Sequence, residues 1–192
     1  MFHIVIISSS IRINRNSHRA ALYFQKYLQE HNLASSEIVD LKEKNFPLFD
    51  ERLAHHPNPT QEMMIFSQQI KKADGVIIVT PEYNGGYPGS LKNAIDLLYD
   101  EWNKKPVGIA TASDGDFGGT QVITSLLFSM WKIRAWVIPA RYPIPKVQEV
   151  FDENGNASKK EIQDKMTKVF INELFWCIEA NARMKDYQPV IN

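Results

Sequence analysis

The apolar and polar residues of this chain fall into alternating blocks, and the most uniform apolar block predicts the middle of a sheet. Val76 to Val79 reads Val-Ile-Ile-Val, a continuous β-branched run. Such a run is typical of a parallel strand that is buried on both faces. Four other apolar runs predict further strands, which are Phe2 to Ile7, Glu37 to Leu41, Pro106 to Ala112 and Ala135 to Ile138.

Between these strands, apolar residues recur at the spacing of helices. The predicted helices run from Ser17 to about His31, from Thr60 to Ala73, from Ser90 to about Trp102, from Val122 to Met130 and from Ser158 to Ala182. Thr60 and Ser90 are the expected N-caps. Strands that alternate with helices predict a single doubly wound α/β domain over residues 1–192, with helices on both faces of a five-stranded parallel sheet. The remaining long connection, Lys42 to Pro59, is of a length that favours a functional loop.

Three loops follow predicted strands at their carboxyl ends, where open α/β sheets bind ligands. The first loop, Ser8 to Ser17, brings serine hydroxyls and the cation of Arg12 to the start of a helix. These groups favour a phosphate, and a solvated polar turn is the alternative.

The second and third loops are rich in glycine. In the second, Tyr83 and Tyr87 flank Asn84-Gly85-Gly86, which would let backbone amides approach a flat ring while a tyrosine packs nearby. A tight turn with core aromatics is the alternative. The third loop, Ser113 to Gly119, would form an amide-lined wall or only a turn. Together the three loops predict a pocket for a planar, singly phosphorylated ligand.

Composition narrows the function. Apolar residues make up 44% of the chain and charged residues 23%, and 22 basic residues balance 22 acidic ones, which gives no support to a nucleic-acid surface. No window approaches the roughly 18 apolar residues of a membrane span, and the first residues lack a signal sequence, so a cytoplasmic protein without membrane contact is expected. Cys177 is the only cysteine, so no internal disulfide can form.

Several familiar motifs are missing or incomplete. No G-x-G-x-x-G follows the first strand, and there is neither a P-loop nor a G-x-S-x-G elbow, which argues against dinucleotide-binding, nucleotide-hydrolysing and serine-hydrolase sites. Asp116-Phe117-Gly118 lacks the other kinase motifs. Asp152 to Gln163 lacks the glycine and glutamate of a calcium loop, and His55-His56 lacks the spacing of a zinc helix. No metal site is expected.

The second loop and its helix carry a longer, more specific motif. Thr80-Pro81-Glu82-Tyr83-Asn84, followed by Gly85, Pro88 and Leu91 to Asp96, resembles the signature of the NADPH-dependent FMN reductase family of flavodoxin-like proteins. That family includes quinone, azo and chromate reductases. The resemblance covers residues 2 to about 140.

Other segments match the same family. Ser10 and Arg12 are similar to its G-S-x-R phosphate loop, with Ser9 where glycine is usual, and Arg15 and Ser17 match a variant of that loop. The third loop resembles the family's third flavin loop through Ser113, Gly115, Gly118 and Gly119. Phe46 to Asp50 resembles the segment after its second strand.

The resemblance implies a site, a topology and an activity. The FMN phosphate would lie on Ser10, Arg12, Arg15 and Ser17. The isoalloxazine would lie against Pro81, Glu82, Tyr83 and Asn84 and against the third loop with Ser113, Gly115, Gly118 and Gly119. The sheet would have the flavodoxin strand order 2-1-3-4-5. The activity would be ping-pong hydride transfer from NADPH or NADH through FMN to a flavin, quinone, azo or similar small-molecule acceptor, with no catalytic side chain.

Two other functions stay open at this point. An FMN-binding electron carrier without an NAD(P)H site would use the same fold, although such carriers are usually strongly acidic and this chain has no net charge. A flavin-sensing interaction protein is the other alternative, because fold alone does not decide function.

Apolar residues beyond the predicted core stripes suggest an assembly. The helix from Ser90 carries Leu97 and Tyr99, and the terminal helix carries Ile171, Phe175 and Ile178. Large exposed apolar patches are unusual on monomers, so a homodimer, or a homotetramer built from dimers, is expected to cover the edge of each flavin pocket. The long loop with Phe49 and Asp50 would then reach the partner's flavin. The alternative is that the segment after Pro139 covers these residues.

Overall fold

The computed structural model describes residues 1–187 and contains a five-stranded parallel sheet. Its strands are β1 (Phe2–Ser8), β2 (Ala34–Asp40), β3 (Gly75–Pro81), β4 (Pro106–Ala112) and β5 (Trp136–Ile144). They lie in the order β2-β1-β3-β4-β5, and every neighbouring pair is parallel. The doubly wound fold and the strand order 2-1-3-4-5 are therefore confirmed.

Helices connect the strands and cover both faces of the sheet. They are α1 (Ser17–Glu30), α2 (Leu41–Lys44), α3 (Gln61–Lys72), α4 (Gly89–Leu97), α5 (Val122–Lys132), α6 (Val147–Val150) and α7 (Lys160–Arg183), with a 3₁₀ turn at Asp100–Trp102. Among the described residues, none of the helices combines the length and the apolar character needed to cross a membrane.

The central strand β3 separates two hydrophobic cores. Ile77 and Val79 face the core shared with α1 and α7, and Val76 and Ile78 face the core shared with α3, α4 and α5. All four side chains are fully buried. Burial on both faces is what the uninterrupted apolar run predicts for a mid-sheet strand.

Two predictions about α4 are wrong. Pro88, not Ser90, occupies the N-cap position, and the Ser90 hydroxyl instead donates to the carbonyl of Ser9 at 2.6 Å. The helix ends at Leu97, and the 3₁₀ turn carries the chain on to Trp102. Ser90 therefore ties α4 to the loop after β1. The other predicted N-cap is confirmed, because the Thr60 side chain accepts from the Met63 amide at the start of α3.

The sheet's edge strands are longer than predicted. β2 begins at Ala34, three residues before the predicted Glu37, and β5 continues through Pro139 and Pro143 to Ile144. The β4–β5 register shifts between Val107 and Ile109, which places the first of these prolines in a bulge. Proline is tolerated in an edge strand or bulge because no ladder N–H is needed there.

The predicted surplus of apolar surface is not found at the residues that suggested it. Leu97, Ile171 and Ile178 are buried within the chain's own cores, and the ring of Phe175 packs edge-on against Phe2 with centroids 5.4 Å apart. On α7 the exposed apolar residues are instead Ile162, Met166, Val169 and Trp176. The helical spacing was correct, but the buried faces of α4 and α7 also include Leu97, Ile171 and Ile178.

The long segment after α2 lies against α4. The Asn93 side chain accepts from the amide of Phe49 at 2.6 Å and donates to the carbonyl of Pro47 at 2.8 Å. The Leu53 amide donates to the carbonyl of Leu97 at 2.9 Å. These bonds fix the loop on the chain's own helix. Cys177 is buried, and burial raises the pKa of its thiol.

Candidate functional site

The first loop connects β1 to α1 and places several serine hydroxyls at the carboxyl edge of the sheet. Ser8 Oγ lies 2.9 Å from His18 Nδ1, and Ser10 Oγ lies 2.7 Å from the hydroxyl of Tyr83. The Ser17 hydroxyl is buried and has no hydrogen-bond partner, although it lies in the first turn of α1. A buried hydroxyl of this kind is costly unless a ligand or water completes it.

The two arginines of this loop have different roles. Arg12 is exposed, and its guanidinium carbon lies 5.7 Å from the centre of the Tyr83 ring. Arg15 lies deeper, donating both to the buried carboxylate of Asp40 and to the carbonyl of Ser10 at 3.0 Å. Asp40 thus neutralises one of the two cations and fixes its orientation.

Charge pairing and burial shift two pKa values beneath this loop. Burial opposes ionisation of Asp40, but hydrogen bonds from Arg15 and from the Lys42 amide outweigh it and hold the pKa of Asp40 below its usual value. Burial and the Arg15 cation lower the pKa of His18, whose Nδ1 lies 3.7 Å from Asp40. At neutral pH the cluster therefore contains a carboxylate, a guanidinium and a neutral imidazole.

The second loop turns sharply after β3. Tyr83 and Gly86 exchange backbone hydrogen bonds of 2.8 and 3.0 Å, and between them Asn84 and Gly85 adopt left-handed conformations with φ of 53° and 79°. The Tyr83 side chain faces the first loop. Tyr87 points elsewhere, because its hydroxyl lies 2.6 Å from Ser129 Oγ on α5. One tyrosine therefore belongs to the site and the other holds a helix.

The third loop follows β4 and packs against the ends of β4 and β5. Gly119 has φ of 70°, and a Cβ there would lie 3.0 Å from the carbonyl oxygen of Ala112. Gly118 is similarly crowded by Pro143 and Ile144, whereas a Cβ on Gly115 would meet nothing within 4 Å. The two crowded glycines let this loop lie close to the sheet.

Side-chain hydrogen bonds tie the loops together. Asn16 Nδ2 donates to Asp114 Oδ1 at 3.2 Å, which joins the first loop to the third. The carboxylate of Glu82 accepts from the Gln121 amide at 3.2 Å, which joins the second loop to the residue before α5. With the Ser10–Tyr83 contact, these bonds preorganise the space between the loops.

A cavity of about 90 Å³ lies among the three loops. The predicted site residues that line it are Ser10, Arg12, Arg15, Ser17, Pro81, Glu82, Tyr83 and Ser113. The predicted residues that do not line it are Asn84, Gly115, Gly118 and Gly119. They shape the turns around the cavity instead.

Sequence reasoning missed other residues that line the cavity. Asn14, Asn16 and Asp114 lie within the predicted loops, so their polar character was an available signal. Val147 at the start of α6 gave no signal, since only the packing of β5 beside β4 brings it to the site.

The donor set suits a phosphate monoester. The unpartnered Ser17 hydroxyl, the exposed guanidinium of Arg12 and the amides at the start of α1 would each bond a phosphate oxygen. No group of three or more histidine, cysteine or acidic side chains suited to a metal is found within residues 1–187.

Comparison of the chain with known protein families and with named relatives points to a single family. The model of the family described as NADPH-dependent FMN reductase matches residues 2–149. An NAD(P)H-dependent FMN reductase of Schizosaccharomyces pombe is 35% identical over 132 residues, covering 64% of this chain and 62% of the relative. The quinone reductase of Escherichia coli K12 is 42% identical over 93 residues, covering 46% of this chain and 50% of the relative. The matches thus span between half and two thirds of these relatives' lengths.

Solved structures share the fold. FerB, a flavoenzyme NAD(P)H:(acceptor) oxidoreductase from Paracoccus denitrificans, superposes with a TM-score of 0.75 at 20% identity, covering 93% of this chain and 98% of FerB. An oxidoreductase from Corynebacterium diphtheriae gives 0.71 at 17% identity, with 94% and 98% covered. At these identities the likeness concerns the fold, which is flavodoxin-like.

Proposed function

Because this chain belongs to the NADPH-dependent FMN reductase family, we propose that it is an NAD(P)H-dependent oxidoreductase that holds FMN non-covalently between its three loops. The observation that carries this proposal is the buried, unpartnered Ser17 hydroxyl in a cavity lined by two arginines at the start of α1. A phosphate oxygen would accept from that hydroxyl and complete its hydrogen bonding.

The phosphate would be held by Ser10, Arg12, Arg15 and Ser17. Arg12 supplies the unneutralised charge. Arg15 supplies N–H donors in an orientation that Asp40 fixes, because a paired guanidinium still has further N–H groups to offer. Ser10 would exchange or share its present contact with Tyr83 when the phosphate enters.

The isoalloxazine would lie between the second and third loops. Pro81, Glu82 and Tyr83 would line one side of the ring and Ser113 the other, as they line the cavity. Asn84 would hold the turn that positions Tyr83. Gly115, Gly118 and Gly119 would let the third loop lie close to the sheet, which would leave room for the ring. Backbone amides of these loops would face the polar edge of the ring.

When bound, FMN would supply the hydride and electron transfer between NADPH or NADH and a second substrate. The chain's own residues would bind and orient the cofactor. No side chain has to act as a nucleophile, acid or base. Flavins, quinones and azo compounds are the acceptors we propose, supported by relatives named quinone reductase and NADPH azoreductase.

Steady-state kinetics of the yellow, FMN-loaded protein test this proposal. NADPH and NADH should each be tried against a panel of quinones and azo dyes. If one site serves the nicotinamide and the acceptor in turn, double-reciprocal plots will be parallel, as ping-pong kinetics require. Intersecting plots would contradict a shared site. Tight FMN binding without NAD(P)H oxidation would identify an electron carrier or a flavin-sensing protein instead.

We also propose that the protein is a homodimer or homotetramer, with a surface different from the one first expected. The support is an apolar strip on α5, where Leu127, Phe128 and Trp131 are 39%, 63% and 68% exposed. Sedimentation equilibrium decides between a multimer and a single species at the 22.1 kDa chain mass. In a multimer, Phe128→Glu should lower the assembled fraction, and Met64→Glu, at an exposed apolar residue of α3, is the matched control.

Two smaller proposals complete the assignment. Residues 1–187 would form one flavodoxin-like domain, supported by the packing of α1, α3, α5 and α7 on a single sheet. The last five residues of the predicted domain lie outside the described residues. The protein would act in the cytoplasm, where reduced nicotinamide cofactors are available to it, and cell fractionation tests this. A membrane-bound or secreted pool as the main fraction would contradict it.

A further inference from the structure

The amino-terminal edge of the sheet, opposite the proposed flavin site, holds a cavity of about 510 Å³ lined by several lysines. The end of α3, the start of β4 and the end of α7 meet there. We call this cavity the basic groove, and its cations are Lys71, Lys72, Lys104, Lys105 and Lys185. The whole chain has equal numbers of basic and acidic residues, so this accumulation is local.

Few carboxylates neutralise these lysines. Within residues 1–187, Asp74 is the only acidic residue that lines the groove, and its carboxylate accepts from the His3 amide at 2.7 Å. Lys71 lies 3.4 Å from Glu101. Lys105 is partly buried and donates to the carbonyls of Ala73 and Lys71.

The remaining cations of the groove are free to meet a ligand. In the described part of the chain, Lys72, Lys104 and Lys185 form no ion pair with an acidic residue. All three are exposed. A concentration of unpaired cations around a concave surface attracts anions and raises their local concentration.

An aromatic cavity of about 470 Å³ adjoins the basic groove. The two cavities share Lys104, Asn181 and Met184. The aromatic cavity is lined by Trp136 and Tyr187, which are 37% and 61% exposed. A ligand that spans both cavities would therefore meet cations at one end and aromatic faces at the other.

The backbone fixes the junction between the cavities. Lys104 and Arg134 are both non-glycine residues in the left-handed region, with φ of 57° and 63°. The Lys104 amide donates to the Arg134 carbonyl at 2.8 Å, and the Trp136 amide donates to the Lys105 carbonyl at 2.9 Å. The hydrogen bonds hold two basic residues and an aromatic residue side by side.

We propose that the basic groove and the aromatic cavity together bind a nucleoside phosphate. The lysines would hold its phosphates as point charges, and the base would stack on Trp136 or Tyr187. The site is separate from the redox chemistry, because the seven residues of β3 span about 23 Å at roughly 3.3 Å per residue. Hydride transfer needs near contact between the reacting atoms.

Calorimetric titration of the FMN-loaded protein with ADP tests this site, with pyrophosphate as the probe that lacks a base. Titrations at about 0.1 M salt limit diffuse attraction between exposed charges. We expect saturable 1:1 binding of ADP, at least about tenfold tighter than binding of pyrophosphate because only ADP reaches the aromatic cavity. Absence of saturable ADP binding up to millimolar concentration would overturn the proposal.

Matched variants locate the binding. Lys72→Glu combined with Lys104→Glu should weaken ADP binding at least about tenfold. Lys165→Glu combined with Lys168→Glu makes the same charge change on exposed lysines of α7 that do not line the groove, and should leave binding within about twofold. Equal losses in both double variants would mean general electrostatic attraction and would overturn the site.

Trp136→Ala separates the two ends of the ligand. It should lower ADP affinity toward that of pyrophosphate while leaving pyrophosphate affinity unchanged. All groove variants should keep NAD(P)H oxidation, which also shows that they fold. ADP binding that is insensitive to the groove variants but competes with NADPH would place the nucleotide at the catalytic site and contradict the proposal. Binding of the protein to phosphatidylserine vesicles without binding of ADP would also contradict it.

Discussion

The two edges of the sheet both gather cations, but they arrange them differently. At the carboxyl edge, a cavity of about 90 Å³ is lined by two arginines, one of which Asp40 neutralises and orients, and by the acidic residues Glu82 and Asp114. At the amino edge, a cavity of about 510 Å³ is lined by five lysines and, among the described residues, a single acidic residue. The smaller and less charged cavity is the better organised one.

The difference shows why size and charge alone do not identify a cofactor site. At the carboxyl edge, hydrogen bonds between Ser10 and Tyr83 and between Asn16 and Asp114 connect loops that the strands already place together. Preorganised donors lose little conformational entropy when a ligand arrives. Exposed lysines are flexible point charges, so they favour a class of anion over one particular ligand.

The largest effect that separates the edges is expected from charge reversal beside the proposed FMN phosphate. Arg12→Glu should weaken FMN binding about 100-fold, because charge-assisted hydrogen bonds contribute about 1.5–3 kcal/mol each. Riboflavin, which lacks the phosphate, should lose less than about threefold. Fluorescence titration of the flavin-free protein measures both. Equal losses for the two flavins would show that Arg12 does not contact the phosphate.

The next effect concerns the ion pair that orients Arg15. Asp40→Asn should lower the free energy of unfolding by about 2 kcal/mol at pH 7. This cost lies between the costs of breaking an exposed ion pair and a fully buried one. Urea unfolding measures this, and Asp96→Asn, which breaks the more exposed Lys92–Asp96 pair, should cost less than about 0.5 kcal/mol.

The stabilisation by Asp40 has a defined pH dependence. Since the folded-state pKa of Asp40 is lowered, its contribution is complete above its unfolded value, near 4, and is lost as pH falls through the folded value. The difference between wild type and Asp40→Asn should therefore shrink as pH falls below about 4. A difference that stays the same below about pH 4 would contradict this assignment.

A smaller effect tests the shape of the third loop. Gly119→Ala should destabilise the protein by about 1.5 kcal/mol, because the new side chain would sit on a left-handed backbone and its Cβ would crowd the Ala112 carbonyl. Gly115→Ala is the control in the same loop and should change stability by less than about 0.5 kcal/mol, since its Cβ meets nothing within 4 Å. Thermal unfolding compares them, and equal destabilisation would mean that crowding at Gly119 is not the cause.

The smallest effect tests the bond between the first and second loops. Tyr83→Phe should weaken FMN binding about fivefold, the equivalent of one neutral hydrogen bond of about 1 kcal/mol. Tyr87→Phe removes the matching hydroxyl on the other side of the loop, which bonds Ser129. FMN affinity should then be unchanged. If both variants lose FMN equally, the Ser10–Tyr83 bond has no special role in the site.

The comparison also separates what sequence could predict from what it could not. The apolar run Val76 to Val79 and the alternation of strands with helices were enough for the fold, because burial on both faces leaves a local signature. The bulge at Pro139 and the ends of β2 and β5 were missed. An edge strand tolerates proline, a residue that usually indicates the end of a strand in a sequence.

Site residues divide in the same way. Among the residues that line the cavity, Ser10, Arg12 and Ser17 were predictable from hydroxyls and a cation next to a strand end. Arg15, Pro81 and Glu82 were predictable only from the family resemblance. The pairing of Arg15 with Asp40 and the approach of Val147 were not predictable, because they join elements far apart in sequence. The burial of Leu97, Ile171 and Ile178 required knowing which helix face meets the sheet.

A crystal structure of the protein with FMN tests the central claim most directly. The account predicts the FMN phosphate at the carboxyl edge, within hydrogen-bond distance of the Ser17 hydroxyl and the Arg12 guanidinium, with the ring beside Tyr83. A phosphate bound among the lysines of the basic groove, with the first loop unchanged and the Ser17 hydroxyl still unpartnered, would contradict it.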